Sequence, residues 1–164
     1  MRLGRAQGII IRNNKALFGY GKIKDRNGHF FIGGGIETGE TASEAVLREI
    51  SEEANVRGKI IFQLEKDILE NHTTFLVDIG QQQCTLGYDP EEEESDKDKL
   101  ALQKLIWIHL SDKEKFTSID IDYFKVLIEE CKESGIYPEW FEAIVELIGG
   151  NKQDELWNIE KVYQ

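Results

Sequence analysis

The regular spacing between residues 41 and 56 constrains the fold of this chain more than any other feature. Thr41 and Glu44 have the spacing of a capping box, in which each side chain binds the backbone N–H of the other residue. Apolar residues then recur every three or four positions, at Val46, Leu47, Ile50 and Ala54. This period predicts a helix from about residue 42 to about residue 54, with its apolar side packed on a sheet.

The same helix carries an acidic face. Glu49, Glu52 and Glu53 have i, i+3 and i+4 spacing, which brings their carboxylates together on a different side from the apolar residues. Like charges at this spacing repel, and Arg48 offsets only part of the repulsion. The face is either a solvated surface or a site for a divalent cation, and its hard oxygen ligands suit Mg²⁺ or Mn²⁺. Spacing alone leaves both alternatives open.

Both flanks of the helix have features that bear on a ligand site. Asn55 stands where a left-handed residue commonly ends a helix, and asparagine tolerates that conformation. Upstream, Gly33, Gly34 and Gly35 follow the apolar segment HFFI, which we predict to be a strand. Glycines there permit a tight turn and a close approach of the backbone to a ligand or metal. A plain flexible loop is the alternative.

These residues resemble the Nudix box, G-x5-E-x7-R-E-U-x-E-E-x-G-U, in which U is aliphatic. The positions that match in register are Gly34, Glu40, Arg48, Glu49, Ile50, Glu52, Glu53 and Val56. Asn55 is the one departure, at a position where glycine is usual, and it bears on the helix end rather than on the chemistry. The resemblance implies the α/β/α sandwich of the Nudix hydrolases, with a mixed β-sheet and the box helix at the active site.

The resemblance also implies an activity, the hydrolysis of a nucleoside diphosphate linked to another group. Mg²⁺ or Mn²⁺ is the implied cofactor, held by Glu52 and Glu53 with the carbonyl of Gly33 as an extra ligand. Glu49 is implied to be either a further ligand or the base for the attacking water. Metal ions so held would neutralise the anionic diphosphate and lower the pKa of a bound water.

Other residues are expected to support this site. Arg48, which belongs to the catalytic set implied by the box, and Glu40 would fix the orientation of the carboxylates, and Gly34 would support the backbone beside them. The family often draws one more acidic residue from a later loop, where Glu91–Glu94 are found. A solvated charge run is the favoured interpretation of that segment.

Charge is distributed unevenly along the chain. The net charge of −11 argues against broad electrostatic binding to nucleic acid or to an anionic membrane. The partner that the resemblance implies is a small nucleotide. The first 28 residues are nevertheless basic. Lys22, Lys24 and Arg26 lie in a polar stretch before the strand that leads to the glycines, and we predict that they bind substrate phosphate. A solvated basic hairpin is the alternative.

The remaining elements follow from local patterns. Strands are predicted on both sides of an Asn13-Asn14 turn, and residues 21–28 are expected to form a polar loop. Further strands are predicted at 56–68, 72–80 and 102–110, and helices at 119–134 and 138–148, the last opened by Pro138. Tyr137, Trp140 and Phe141 are expected to pack a helix or to form a contact in a homodimer.

Length and composition predict a single domain. We expect it to span residues 1–150, followed by a tail at 151–164 in which Leu156 and Trp157 indicate docking. The apolar runs are too short to span a bilayer and no signal peptide is evident. The two cysteines have no pattern, which is typical of reduced thiols in a cytoplasmic protein.

The substrate stays open. A nucleoside triphosphate, ADP-ribose, a dinucleoside polyphosphate and a nucleotide sugar all fit the implied activity, and a fold alone does not choose among them. Two other functions are alternatives, a nucleotide-sensing domain without catalysis and an enzyme acting on RNA 5′ ends. A sensing domain would be expected to lose box carboxylates, and Glu49, Glu52 and Glu53 are all present.

Overall fold

In the computed structural model, residues 4–87 and 102–149 are described, and the chain divides after Ile108 into two compact units. The strands of the described residues are β1 Arg5–Ile9, β2 Ile11–Arg12, β3 Lys15–Ile23, β4 Arg26–Phe30, β5 Ile32–Gly35, β6 Lys59–Gln63, β7 His72–Asp78 and β8 Lys104–His109. The helices are α1 Ala42–Ala54, α2 Ser118–Ser134 and α3 Phe141–Ile148, with a short 3-10 helix at Lys113–Lys115. Across these residues, no helix combines the length and the apolar character that crossing a membrane requires.

The strands form two four-stranded sheets. The first has the order β5-β1-β7-β6, in which β1 runs parallel to β7 and the other neighbours are antiparallel. It is therefore the mixed sheet that we expected. In the second sheet β3 lies between β2 and β4 and also pairs with β8.

The predicted hairpin around Asn13-Asn14 is confirmed. The φ angles of these two residues are 53° and 58°, and Arg12 pairs with Lys15 across the turn. Positive φ at both central residues suits the twist of a two-residue hairpin, and asparagine adopts it more readily than most residues do.

The expectation of a polar loop at residues 21–28 is wrong. Most of this segment belongs to the β3–β4 hairpin, in which Ile23 pairs with Arg26 across Lys24 and Asp25. Lys24 takes a φ of 58°, so two residues suffice for the turn. Exposed polar strands lack the apolar alternation that marks a half-buried strand, and the pattern therefore resembled a loop.

Helix α1 packs on β1 and β5 through its predicted apolar face. Val46, Ile50 and Ala54 are fully buried, and each buried Val or Ile side chain contributes about 1.5–3 kcal/mol. Gly8 of β1 brings the sheet close to the helix, because a Cβ at this position would lie 3.1 Å from Ile50 Cδ1. This packing fixes the rotation of the helix, and with it the direction of the acidic face.

The second unit contains α2 and α3. A capping box of Thr117 and Asp120 opens α2, and Gly135 ends it with a φ of 69°. Helix α3 begins at Phe141 and not at Pro138 as predicted, because the Phe141 N–H closes a turn on the Pro138 carbonyl at 2.9 Å.

Several predictions from the sequence fall beyond the described residues. They concern the acidic segment Glu91–Glu94 and the C-terminal tail at 151–164, so both remain predictions. The single domain over residues 1–150 also stays a prediction.

Candidate active site

Local signals position the helix that carries the acidic residues. Thr41 Oγ1 accepts a hydrogen bond from the Glu44 N–H at 3.1 Å, and Glu44 Oε1 accepts one from the Thr41 N–H at 2.9 Å. At the other end Asn55 is left-handed, with a φ of 56°, and its N–H donates to the Ser51 carbonyl. The predicted capping box and helix stop are both confirmed, and the helix spans the predicted residues.

Two of the three predicted carboxylates are buried next to each other. The exposed fraction is 7% for Glu49 and 6% for Glu53, and a hydrogen bond joins the two side chains. Two carboxyl groups can share a hydrogen bond only when one of them carries a proton. Burial of such a pair is costly unless other groups compensate the charge.

Arg48 compensates part of that charge. Its guanidinium donates two hydrogen bonds to Glu40, at 2.7 and 3.0 Å, one to the Gly35 carbonyl at 3.1 Å, and one to Glu49 Oε1 at 2.9 Å. The bond from Arg48 holds the pKa of the Glu40 carboxyl below its usual value. The same bond raises the pKa of Arg48, so both groups are charged at neutral pH. The fork of an arginine thus links β5, the loop before α1 and the buried carboxylate pair.

The three glycines lie in a strand and not in a turn. The strand β5 contains Gly33, Gly34 and Gly35, and none of these three glycines has a positive φ angle. The expected close approach is present, because a Cβ on Gly34 would lie 2.5 Å from Glu49 Cδ. The predicted tight turn is wrong, since these glycines make space for a neighbouring carboxylate instead of reversing the chain.

Gly33 also contacts the carboxylate pair through its backbone. Its N–H donates to the carboxyl group of Glu53. In a strand the N–H and C=O of one residue point to the same side, so the Gly33 carbonyl faces the same edge of β5. That edge is the outer edge of the first sheet. The carbonyl that the resemblance suggests as a ligand is therefore on the side of Glu53.

The surroundings of Glu53 favour its protonated form. Burial, and next the charge of Glu49, raise the pKa of Glu53 to about 8, against the opposing effects of Arg5 and the Gly33 N–H. One carboxyl oxygen, Oε1, is buried and has no hydrogen-bond partner among residues 4–87 and 102–149. Most buried polar atoms have a partner, so this oxygen is an exception that requires an explanation.

Arg5 belongs to the site although no sequence motif indicates it, because its charge opposes the rise in the pKa of Glu53 that burial causes. Its guanidinium donates to the Phe31 carbonyl at 2.9 Å and to Gln7 Oε1 at 3.3 Å. In the sequence Arg5 is one of several basic residues among the first 28, with no motif that connects it to the acidic helix. Its place beside the site depends on the pairing of β1 with β5, in which Arg5 lies opposite Gly35, and no local signal specifies that pairing.

Glu52 is more exposed than the buried pair. Its side chain is 31% exposed, and its Oε2 accepts a hydrogen bond at 3.4 Å from Arg48 Nη1, the atom that also donates to Glu49 Oε1. Over residues 4–87 and 102–149, no three His, Cys, Asp or Glu side chains are gathered in a group that could hold a metal ion. The predicted convergence of three carboxylates is thus present for two of them.

Lys22 and Arg26 lie on the two strands of the β3–β4 hairpin, and Lys24 is in its turn. All three are near the end of the hairpin, and Phe30 at the other end of β4 is four positions beyond Arg26, which at ~3.4 Å per residue is about 14 Å. Substrate binding by these three residues stays a prediction.

Comparison with known proteins decides the family. A NUDIX domain model matches residues 2–124, which is 123 of the 164 residues. This chain belongs to the Nudix family. Nudix proteins are hydrolases that act on pyrophosphate bonds, so the predicted enzyme class is confirmed. No curated protein matches the sequence.

Solved Nudix structures have the same fold. A Nudix hydrolase from Clostridium perfringens has a TM-score of 0.54 at 15% identity, covering 71% of this chain and 87% of the other. An Ap4A hydrolase from C. elegans has a TM-score of 0.55 at 17% identity, covering 80% and 99%. A MutT structure reported for Aliivibrio salmonicida and Vibrio cholerae has a TM-score of 0.52 at 16% identity, covering 79% and 99%. The predicted α/β Nudix fold is therefore confirmed.

The residues at this Nudix site fit a divalent cation. Nudix hydrolases generally use such ions, and the donor set here consists of hard oxygen atoms, which Mg²⁺ and Mn²⁺ prefer. The partnerless Oε1 of Glu53 and the like-charged Glu49 beside it are the features that a bound cation would satisfy.

Proposed function

We propose that this Nudix protein hydrolyses the diphosphate linkage of a nucleoside diphosphate derivative, with Mg²⁺ or Mn²⁺ as its cofactor. The observation that carries the proposal is the buried pair of Glu49 and Glu53, in which Oε1 of Glu53 has no hydrogen-bond partner in the described part of the chain. A protein that bound no cation there would keep two acidic groups out of water with incomplete compensation.

Each box residue has a proposed role. Glu53 and Glu52 hold the cation, together with the Gly33 carbonyl at the outer edge of β5. Glu49 is a further ligand or the general base that accepts a proton from the attacking water. When bound, Mg²⁺ or Mn²⁺ would neutralise the diphosphate and lower the pKa of the water.

The remaining residues keep these groups in position. Arg48 holds Oε1 of Glu49 at 2.9 Å, and Glu40 anchors the other side of the same guanidinium. Gly34 leaves the space that the Glu49 carboxylate occupies. Such groups orient the acidic side chains without touching the substrate, and losing them typically costs 10–100-fold in metal affinity or activity.

The substrate is proposed at the level of its class. Lys22, Lys24 and Arg26 are proposed to attract its phosphates, which suits a small anionic nucleotide. Solved structures with this fold include a UDP-X diphosphatase, an Ap4A hydrolase and a MutT protein. Those names describe the other proteins, and they indicate which nucleotides to test first.

A nucleotide panel tests the proposal. Nucleoside triphosphates, dinucleoside polyphosphates, ADP-ribose and nucleotide sugars are incubated with the protein and Mg²⁺, Mn²⁺ or EDTA, and products are identified by mass. We expect cleavage that requires the metal, is abolished in Glu53→Gln, and is kept in Glu70→Gln, a matched change on the exposed surface. Metal-dependent binding of a nucleotide without any cleavage would instead support a sensing domain.

A further inference from the structure

The segment Cys84–Gly87, which we call the strap, crosses the C-terminal end of α1. The N–H of Thr85 donates to the Ala54 carbonyl at 3.1 Å, and the N–H of Gly87 donates to the Glu53 carbonyl at 2.7 Å. These hydrogen bonds fasten the strap to the last turn of the helix. That turn carries Glu52 and Glu53, the two carboxylates that we propose to hold the metal ion.

The contact at Gly87 is too close for any other residue. A Cβ there would collide with the carbonyl oxygen of Glu52, although the φ of Gly87 is not positive. Glycine is therefore required by the approach of two backbones and not by its own conformation. The strap thus lies directly against the backbone of the last turn.

The last turn of α1 is weak without the strap. The final carbonyl groups of a helix have no partner within it, and this end of the helix dipole is negative. Glu52 and Glu53 add negative charge there, and the turn contains no basic residue. Charge and unpaired carbonyls both favour fraying of these residues. The two N–H groups of the strap supply the partners that the helix lacks.

Asn55 fastens the strap with its side chain. Its Nδ2 lies 3.0 Å from Thr85 Oγ1, 3.3 Å from the Thr85 carbonyl and 3.4 Å from the Leu86 carbonyl. Glycine, which is usual at this position of the box, would accept the φ of 56° and end the helix equally well. It would make none of these contacts. The departure from the box therefore adds a function to this position.

We propose that Asn55 is a positioning residue for the metal-binding carboxylates. Its amide holds the strap, the strap holds the last turn of α1, and the turn fixes Glu52 and Glu53 before a cation arrives. The proposal rests on the proposed function for its metal, whereas the fastening of the strap is independent of any activity. A turn that frays must be ordered when the cation binds, which weakens binding.

The test compares Asn55→Gly with Asn71→Gly, because Asn71 is also left-handed, with a φ of 61°, and its carbonyl accepts a hydrogen bond from Arg5 and not from the strap. Amide hydrogen exchange is measured by NMR without metal, and Mg²⁺ affinity by calorimetry. We expect Asn55→Gly to speed exchange at Thr85 and Gly87 about five-fold, the effect of losing one or two neutral hydrogen bonds. Its Mg²⁺ dissociation constant should rise about ten-fold, and Asn71→Gly should change neither quantity.

Thr85→Val is a second variant that removes only the hydroxyl acceptor. It should change exchange and affinity in the same direction as Asn55→Gly, but less. The double variant should be no worse than Asn55→Gly alone, because the two changes break the same contact. Additive effects would mean that Thr85 and Asn55 act separately, which would contradict a direct contact between Asn55 and the strap.

The other outcomes are equally decisive. Unchanged exchange at Thr85 and Gly87 in Asn55→Gly would show that Asn55 does not hold the strap. Faster exchange with unchanged Mg²⁺ affinity would overturn the positioning role. A wild-type protein that binds neither Mg²⁺ nor Mn²⁺ would contradict the proposed function, and the positioning role with it. The exchange data would still report whether Asn55 holds the strap.

Discussion

Replacing Glu53 by glutamine removes the most strongly perturbed acid of the site. Burial and the charge of Glu49 raise the pKa of Glu53 to about 8 from a usual value of 4.5. Between these two pH values the folded protein binds this proton more tightly than the unfolded chain does. The free energy of unfolding therefore falls as pH rises from about 4.5 to about 8, and the loss is complete above that range.

The size of the effect follows from the shift in pKa. Each unit corresponds to about 1.4 kcal/mol, so the full loss is about 5 kcal/mol. The same relation gives a loss of about 1 kcal/mol at pH 5 and about 3 kcal/mol at pH 7. For a chain of this length each kcal/mol moves the Tm by about 2–4 °C. Between pH 5 and pH 9, Glu53→Gln should therefore gain on the order of 10 °C over the wild type.

Thermal melts in EDTA at pH 5, 7 and 9 measure this difference. Titrating groups that do not interact with Glu53 are common to both proteins, so their effects cancel when the two Tm values are subtracted, and the difference reports the coupled pair of Glu49 and Glu53. Glu52→Gln is the matched control, because it makes the same substitution in the same turn of α1 at a side chain that is 31% exposed. A difference between Glu53→Gln and wild type that is the same at pH 5 and pH 9 would refute the reasoning.

Three further predictions concern catalysis. Glu49→Gln should lower kcat by about 10²–10⁴, the loss typical of a missing base or metal ligand, and a turnover above half of wild type would contradict its role. Gly34→Ala must displace the Glu49 carboxylate and should lower kcat by about 10², with circular dichroism confirming that the helix is retained. Replacing Lys22, Lys24 and Arg26 together by alanine should raise KM several-fold at low salt and leave kcat nearly unchanged. A wild-type KM at low ionic strength would make this basic hairpin a solvated surface only.

Helix α1 could be predicted in full because its signals are local. The capping box of Thr41 and Glu44, the apolar period and the left-handed Asn55 all act within a few residues of the sites where they appear. The acidic face followed from the same period. Since these features need no tertiary information, the sequence specified the bounds of the helix and the burial of its apolar side.

The rest of the site depends on contacts between distant segments. The run of glycines in β5 predicts a turn, because local sequence does not distinguish a turn glycine from one that makes space for another side chain. Here Gly34 makes space for Glu49, which is fifteen residues further along the chain. Arg5 was missed because only the pairing of β1 places it near Glu53. Glu52 is linked to Glu49 through Arg48 Nη1, which donates to both carboxylates, and helical spacing alone does not predict this bridging guanidinium.

The central position of β1 in its sheet also bears on how the protein folds during synthesis. Arg5 pairs with His72, and every parallel pair of β1 with β7 joins residues 67 positions apart. Such long-range pairing raises contact order and slows folding. At about 5–20 residues per second, the ribosome needs more than a second to extend the chain from the end of α1 to the end of β7. During that interval the nascent helix has emerged while its supporting sheet is incomplete, so substitutions in β7 should lower the yield of folded protein without altering the chemistry of the molecules that do fold.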